Sequence, residues 1–275
     1  MVLKHVIVKK ISVFICLLLV NIAFSQEESL VISSEKSENG EVFVYAENTS
    51  YAPYTVTVNA TLTGFTADKK LPVVQVVNGK SKELLLTLTM KPGLKKYGYS
   101  FKSNSYMGNA NAKHNDAYTY WLPFKKGGSY LVSQGYYDNV SHHDVKALDF
   151  SMVEGSKVYA MREGVVVDVK EDSDKGCPSE ECLKLSNFVT VLHDDHSFAE
   201  YAHLKKNGAA VKEGDKVNAG DLIGYSGKTG WATGPHLHIE VYTRNKPNQL
   251  TSVSTYFNVN GERVLLKKGD RPVNQ

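Results

Sequence analysis

The sequence predicts an all-β protein in two parts: an N-terminal β-sandwich-like module, then a second β-rich domain. Three observations carry this. Apolar and polar residues alternate over several short stretches, and no long segment shows a helical period. The 275 residues include 16 tyrosines, a residue type favoured in strands. The length suits one large domain or two modest ones, and a composition of 42% hydrophobic and 22% charged residues is that of an ordinary globular chain.

Residues 1–25 have the build of a secretory signal peptide. Lys4, Lys9 and Lys10 make a basic start, Ile11 to Val20 an apolar stretch, and Ala23-Phe24-Ser25 a small-x-small cleavage site before Gln26. The apolar run is short for a membrane span, so no span is expected after cleavage. Removing three lysines takes the formal charge from +3 to 3 − 3 = 0. That balance excludes nucleic acid as an expected partner. Cys177 and Cys182 then remain, and two cysteines in an exported chain are expected to pair as a disulfide. The periplasm or the extracellular cell envelope is the expected location.

Residues 26–107 form the predicted N-terminal β module. Tyr54, Val56, Val58, Ala60 and Leu62 alternate with polar residues, as do Leu84, Leu86, Leu88 and Met90. Asn78-Gly79 predicts a hairpin joining Val73–Val77 to the next strand. No cluster with catalytic chemistry falls here. Residues 108–120 are polar and read as a connector, residues 121–250 as the second domain, and residues 251–275 as a C-terminal extension. From Trp121 onward glycines become frequent and short β-rich segments continue, at Lys157–Ala160, Gly164–Val169, Phe188–His193 and His236–Tyr242. Two Gly-Asp turns, at Gly214 and Gly220, flank short strands.

Seven of the eight histidines beyond residue 25 lie between positions 142 and 238. In His236-Leu237-His238-Ile239-Glu240, strand geometry puts His236, His238 and Glu240 on one face and Leu237, Ile239 and Val241 on the other. Imidazole ligates zinc and also titrates near neutral pH, so either histidine can be a ligand or an acid/base group. Asp149 sits among apolar neighbours in Ala147-Leu148-Asp149-Phe150, where a carboxylate needs a hydrogen bond or a metal. His142 and His143 lie a short loop upstream, and His203 follows an apolar segment. A His, Asp and His ligand set leaves a fourth zinc position open, as in catalytic sites. His193 and His196, in His-Asp-Asp-His, are expected on the surface of a polar hairpin. Trp231, Tyr201 and Tyr242 are candidates either for a substrate groove or for ordinary packing.

The stretch 121–250 resembles the lysostaphin-type zinc metallopeptidases, which cut peptide cross-links of bacterial peptidoglycan. The resemblance is carried by Ser141-His142, Ala147-Leu148-Asp149-Phe150, Tyr201-Ala202-His203-Leu204, the paired Gly-Asp turns and Gly234-Pro235-His236-Leu237-His238. It implies a β-rich lysostaphin-type metallopeptidase domain binding Zn2+. The upstream histidine, Asp149 and His238 would be the ligands, with His203 and His236 catalytic. One departure stands out. The family spacing is His-x-x-x-Asp, which would place Val145 as a ligand. The Ser-His context favours His142, which leaves six intervening residues, with His143 as the alternative. The resemblance implies a secreted endopeptidase acting on peptidoglycan through a metal-activated water. The alternative is a catalytically silent envelope protein that binds peptidoglycan or activates another hydrolase.

Overall fold

The computed structural model describes residues 29–275. The signal-peptide expectation for residues 1–25 lies outside the described residues. Among the described residues, no helix is long and apolar enough to cross a membrane. The regular structure of the described chain is nearly all strand, with one short 3-10 helix.

The N-terminal module comprises β1 (Leu30–Lys36), β2 (Val42–Asn48), β3 (Tyr54–Thr63), β4 (Phe65–Ala67), β5 (Val73–Val77), β6 (Ser81–Met90) and β7 (Gly98–Met107). One sheet runs β1-β2-β6-β4, the other β5-β3-β7. Val44 and Ala46 of β2, Val56 and Val58 of β3, and Leu86 and Leu88 of β6 share a core between them. Two expectations need correcting. Leu84 does not join Leu86 and Leu88 inside; it is 40% exposed while Leu85 is buried. The register of β6 on β2 shifts between Val44 and Tyr45, and such a bulge reverses the side-chain alternation. Nor do β5 and β6 form a hairpin, because they belong to different sheets. The Asn48 amide draws the Asn78-Gly79 turn away by donating to the carbonyls of Val77 and Asn78. Gly79 then lies so close to the Tyr51 carbonyl that an added Cβ would sit 2.3 Å from its oxygen.

The rest of the chain supplies β8 (Thr119–Tyr120), β9 (Val132–Gln134), β10 (Ala147–Phe150), β11 (Lys157–Tyr159), β12 (Gly164–Lys170), β13 (Gly176–Cys177), β14 (Phe188–Leu192) and β15 (Phe198–Ala202). It continues with β16 (Leu204–Ala209), β17 (Lys216–Val217), β18 (Leu222–Ser226), β19 (Gly230–Trp231), β20 (Leu237–Lys246), β21 (Gln249–Ser252), β22 (Tyr256–Val259) and β23 (Glu262–Leu265). The main sheet runs β17-β12-β14-β15-β20-β10-β9, with β21 also paired to β20, and a smaller sheet runs β11-β18-β16. The core between them takes Val189, Val191, Tyr201, Leu237, Ile239 and Val241 from the main sheet and Val158, Leu204 and Ile223 from the smaller one. Alternation leaves the opposite face of β15 and β20 free for Glu200, His238, Glu240 and Tyr242.

The segments read as connector and C-terminal extension pair with each other. β8 lies parallel to β22, with Tyr120 opposite Phe257, and both side chains are buried. On the same open face as His238, the N-terminal module docks through Ala52, which packs with Val167, Phe198 and Tyr242.

A buried polar knot closes the far end of the main sheet. Arg162 is only 2% exposed. It pairs with Asp194 and, at 2.7 Å, with Asp195, while its guanidinium lies 4.1 Å from the Tyr118 ring centre. His193 is buried rather than on the surface, because the turn after β14 folds back toward Tyr120. Burial pushes its imidazole down to about 4, so it stays neutral. Burial alone would raise the Asp195 carboxyl, but hydrogen bonds from Ser197, the Asn115 N–H and Arg162 outweigh it and hold the pKa below the ordinary range.

A carboxyl depressed by folding stabilises the fold above its unfolded pKa, and that stability fades as pH falls through the folded value. Asp195→Ala, which leaves the buried guanidinium with the more exposed Asp194 and Glu163 as its carboxylate partners, should cost about 2 kcal/mol at pH 7. Urea unfolding at pH 7 and at pH 3 should show the gap between wild type and variant narrowing in acid. A gap independent of pH would remove this ion pair as its source.

Candidate metal centre

Strand register assembles the site. β10 runs antiparallel to β20 with Asp149 opposite His238, and β9 sets Gln134 opposite Asp149 on the other side. Residues directly opposite in a pair share a face. Leu148 and Phe150 therefore fill the core while Asp149 and His238 stand together on the open face. β15 brings Ala202 opposite His238, and His203 follows. Its φ of 62° is left-handed, a conformation that costs a β-carbon residue roughly 1 kcal/mol or more. This turn joins β15 to β16 and sets the His203 ring 4.5 Å from that of His236 and 5.6 Å from that of His238, centre to centre.

His142, Asp149 and His238 each offer a ligand atom to one point. Asp149 Oδ1 lies 2.9 Å from His238 Nδ1 and 3.3 Å from His142 Nε2, and the two ring nitrogens are 3.3 Å apart. Tetrahedral zinc with bonds of 2.0–2.1 Å spaces its ligand atoms roughly 3.3 Å apart. His142 donates its Nδ1–H to the Gly135 carbonyl at 3.0 Å, which leaves the Nε2 lone pair facing the group. Two ring nitrogens, each able to offer a lone pair once deprotonated, and a carboxylate oxygen turned toward one another in a buried place fit a bound cation. The structure brings His142 into this group and leaves His143 exposed.

Burial would raise the Asp149 carboxyl. Imidazoles protonated at the facing nitrogens of His142 and His238 would donate to it, and with the charges of His238 and His236 they outweigh burial and hold the group well below the usual range. Burial likewise opposes charge on His238, yet its bond to Asp149 prevails, aided by Glu240 and Glu200, and its pKa rises. His203 is pushed down to about 3, first by burial and then by the neighbouring His236 and His238.

The two further histidines share one orientation. His236 donates Nδ1–H to the Gly234 carbonyl at 2.9 Å, and His203 donates Nδ1–H to the Thr229 carbonyl at 2.7 Å. Each keeps Nε2 for the site, and His236 Nε2 stands 3.7 Å from Asp149 Oδ2. Ser186 Oγ accepts the His203 backbone N–H at 3.2 Å. Cys177 and Cys182 are joined in a disulfide whose loop reaches this wall directly, since β13 pairs with β19 through Gly176–Gly230 and Cys177–Trp231. Gly230 has a φ of 80°, and an added Cβ would lie 2.6 Å from Ser186 Cβ, so only glycine brings the two loops this close.

Gln134, Gly135, Ser186 and Thr229 carry no sequence signal of their own; they are found only once the strands are paired. Of the groove candidates, Tyr201 is fully buried, with its hydroxyl accepting the Met161 N–H at 2.7 Å. Tyr242 is stacked on Phe198 beneath the N-terminal module. Both pack, and Trp231 alone is half-buried.

Residues 143–250 match the model of peptidase family M23. Over 101 residues the chain is 38% identical to an uncharacterized metalloprotease of Buchnera aphidicola, spanning 37% of this chain and 24% of that one. It is 39% identical over 99 residues to the peptidoglycan DD-endopeptidase ShyA of Vibrio cholerae, or 36% and 20% of the two chains. In the lysostaphin catalytic domain from Staphylococcus simulans, 30% identity covers 47% of this chain and 87% of that one, with a TM-score of 0.34. The matched stretch thus spans about a quarter or less of these two curated relatives.

His142→Ala and His238→Ala should each purify with less than about a tenth of the wild-type metal, since removing one ligand of three leaves an incomplete site. His143→Ala should retain it. Elemental analysis of the three proteins checks this, and metal loss in His143→Ala with retention in His142→Ala would reverse the ligand choice.

Proposed function

We propose that this chain, whose residues 143–250 form a peptidase family M23 domain, is an exported zinc endopeptidase that hydrolyses peptide cross-links of peptidoglycan. The observation that carries the reading is the convergence of His142 Nε2, Asp149 Oδ1 and His238 Nδ1, with two more imidazoles beside them whose Nε2 atoms are free. The substrate class is supported by similarity to ShyA, named a peptidoglycan DD-endopeptidase, and to the glycyl-glycine endopeptidase ALE-1 of Staphylococcus capitis, 33% identical over 130 residues. The Cys177–Cys182 disulfide supports an oxidising compartment, the periplasm or the extracellular envelope.

His142, Asp149 and His238 hold the zinc. Two nitrogens and one oxygen suit it, and three protein ligands leave room for a reactant. Zinc, when bound, polarises a scissile carbonyl and lowers the pKa of water to roughly 7. His236 does the first proton work. Its ring is fixed through Nδ1, so Nε2 takes a proton from the attacking water. His203 is neutral before reaction, with pKa about 3, and its Nδ1–H is committed to Thr229. It cannot donate from Nε2 until it has received a proton. The His236 ring lies 4.5 Å away, centre to centre, with no hydrogen bond between the two rings, so a proton taken up by His236 would reach His203 through the substrate or a bridging water. His203 then stabilises the oxyanion or protonates the leaving amine at Nε2.

Incubating purified sacculi with the protein and analysing the products by mass spectrometry tests the reading. Zinc-dependent release of peptide fragments, abolished by chelator and restored by zinc, is expected. His236→Ala should keep wild-type zinc content and lose about 10²- to 10⁴-fold in rate. Binding to sacculi without cleavage would support the silent envelope protein instead, and equal zinc loss in His236→Ala and His238→Ala would remove the division of roles.

A further inference from the structure

β9 is three residues long, yet its end touches two of the ligands. The Gln134 amide donates to Asp149 Oδ2 at 2.6 Å and to Ser141 Oγ at 3.0 Å. Its oxygen accepts the Ser141 backbone N–H at 3.3 Å. The next carbonyl, that of Gly135, accepts His142 Nδ1–H. The side-chain orientation follows from chemistry: an ionised carboxylate only accepts, so the atom facing Asp149 is the NH2 group.

We propose that Gln134 is the positioning residue of the metal centre. It holds Asp149 so that Oδ1 faces His142 and His238 while Oδ2 is occupied by the amide, and it ties down the loop that delivers His142. The proposal rests on the zinc reading above. Asp149 is 2% exposed, so no solvent is at hand to satisfy Oδ2. The other group near that oxygen is His236 Nε2 at 3.7 Å, beyond hydrogen-bond range. Without the Gln134 donor, Oδ2 is left to swing toward the cation or toward His236. Either movement shifts a ligand and draws the proposed base into a bond. Gln134 therefore acts on both metal affinity and turnover through Asp149, touching neither metal nor substrate.

The test uses the full exported chain and two variants. Gln134→Glu keeps the size and still accepts the Ser141 N–H, but when ionised, as at saturating zinc and neutral pH, it has no hydrogen to donate to Asp149. Gln134→Met removes donor and acceptor together. Zinc dissociation constants come from competition with a chromophoric chelator, and kcat and KM from cleavage of a cross-linked muropeptide at saturating zinc. Both variants should bind zinc about 10- to 100-fold more weakly, and kcat should fall while KM stays within about twofold. Ser141→Ala, which leaves the Gln134–Asp149 bond in place, should hold zinc within about threefold of wild type. Should Gln134→Met not fold, Gln134→Glu carries the test alone. Wild-type zinc affinity in Gln134→Glu overturns the proposal, as does an equal loss in Ser141→Ala, which would assign the effect to the loop. A wild-type protein that binds no zinc would instead remove the metal reading itself.

Discussion

The structure of the second half of the chain depends on one constraint, the burial of the Asp149 carboxylate. A buried, unpaired charge costs several kcal/mol, roughly, so this group must be surrounded by donors or cations. Each partner it gains is a part of the site: His238 across β20, His142 from the preceding loop, and Gln134 across β9. Antiparallel register makes two of those three meetings unavoidable once β10 lies between its neighbours. A slip of one residue would send Asp149 into the core and Leu148 onto the open face, which is why the register is so firmly specified. The same four-residue strand thus sets both the packing of Leu148 and Phe150 and the convergence of Asp149 with His142 and His238.

The open face of the main sheet serves two purposes in succession. Along β20 the outward residues are His238, Glu240, Tyr242 and Arg244. At about 3.4 Å per residue, Tyr242 lies roughly 14 Å from His238. The first belongs to the metal group, and the third lies under Ala52 of the N-terminal module. Between them stand Glu240 and Glu200, directly paired across β20 and β15. Burial raises both carboxyls, and Arg244 and His238 moderate the effect. The sandwich is therefore seated on the same face of the sheet that carries the His238 side chain, with the Glu200–Glu240 pair between them.

Much of this was legible in the chain. The alternation in His238-Ile239-Glu240-Val241 gave the strand and both of its faces, and Asp149 stood out because an acid among apolar residues needs a partner. What escaped were features created by pairing. Leu85 takes the inside position only because the ladder carries a bulge, which no periodicity displays. Asn78-Gly79 has hairpin chemistry but is claimed by the Asn48 side chain, thirty positions away in sequence. The polar text of His193-Asp194-Asp195-His196 hides a core contact, because Asp195 is there to pair with Arg162. Gln134 is an ordinary glutamine until register sets it against Asp149. Local pattern reports which face a residue prefers; it does not report which distant group will meet it there.

The wide spacing between His142 and Asp149 raises the question of what brings the two side chains together. The match to peptidase family M23 begins at residue 143, one position after the histidine that joins the group. With six residues between the two ligands, the loop has room for many conformations, though closing a slightly longer loop adds only tenths of a kcal/mol, roughly. The added freedom is removed at the loop's start rather than along its length. The Gly135 carbonyl fixes the His142 ring through Nδ1, and the Gln134 side chain pins the residue before it. Both anchors sit at the end of β9, whose place is set by pairing with the strand that carries Asp149. His142 is therefore positioned by contacts to the neighbouring strand, beyond what its distance from Asp149 along the chain alone would set.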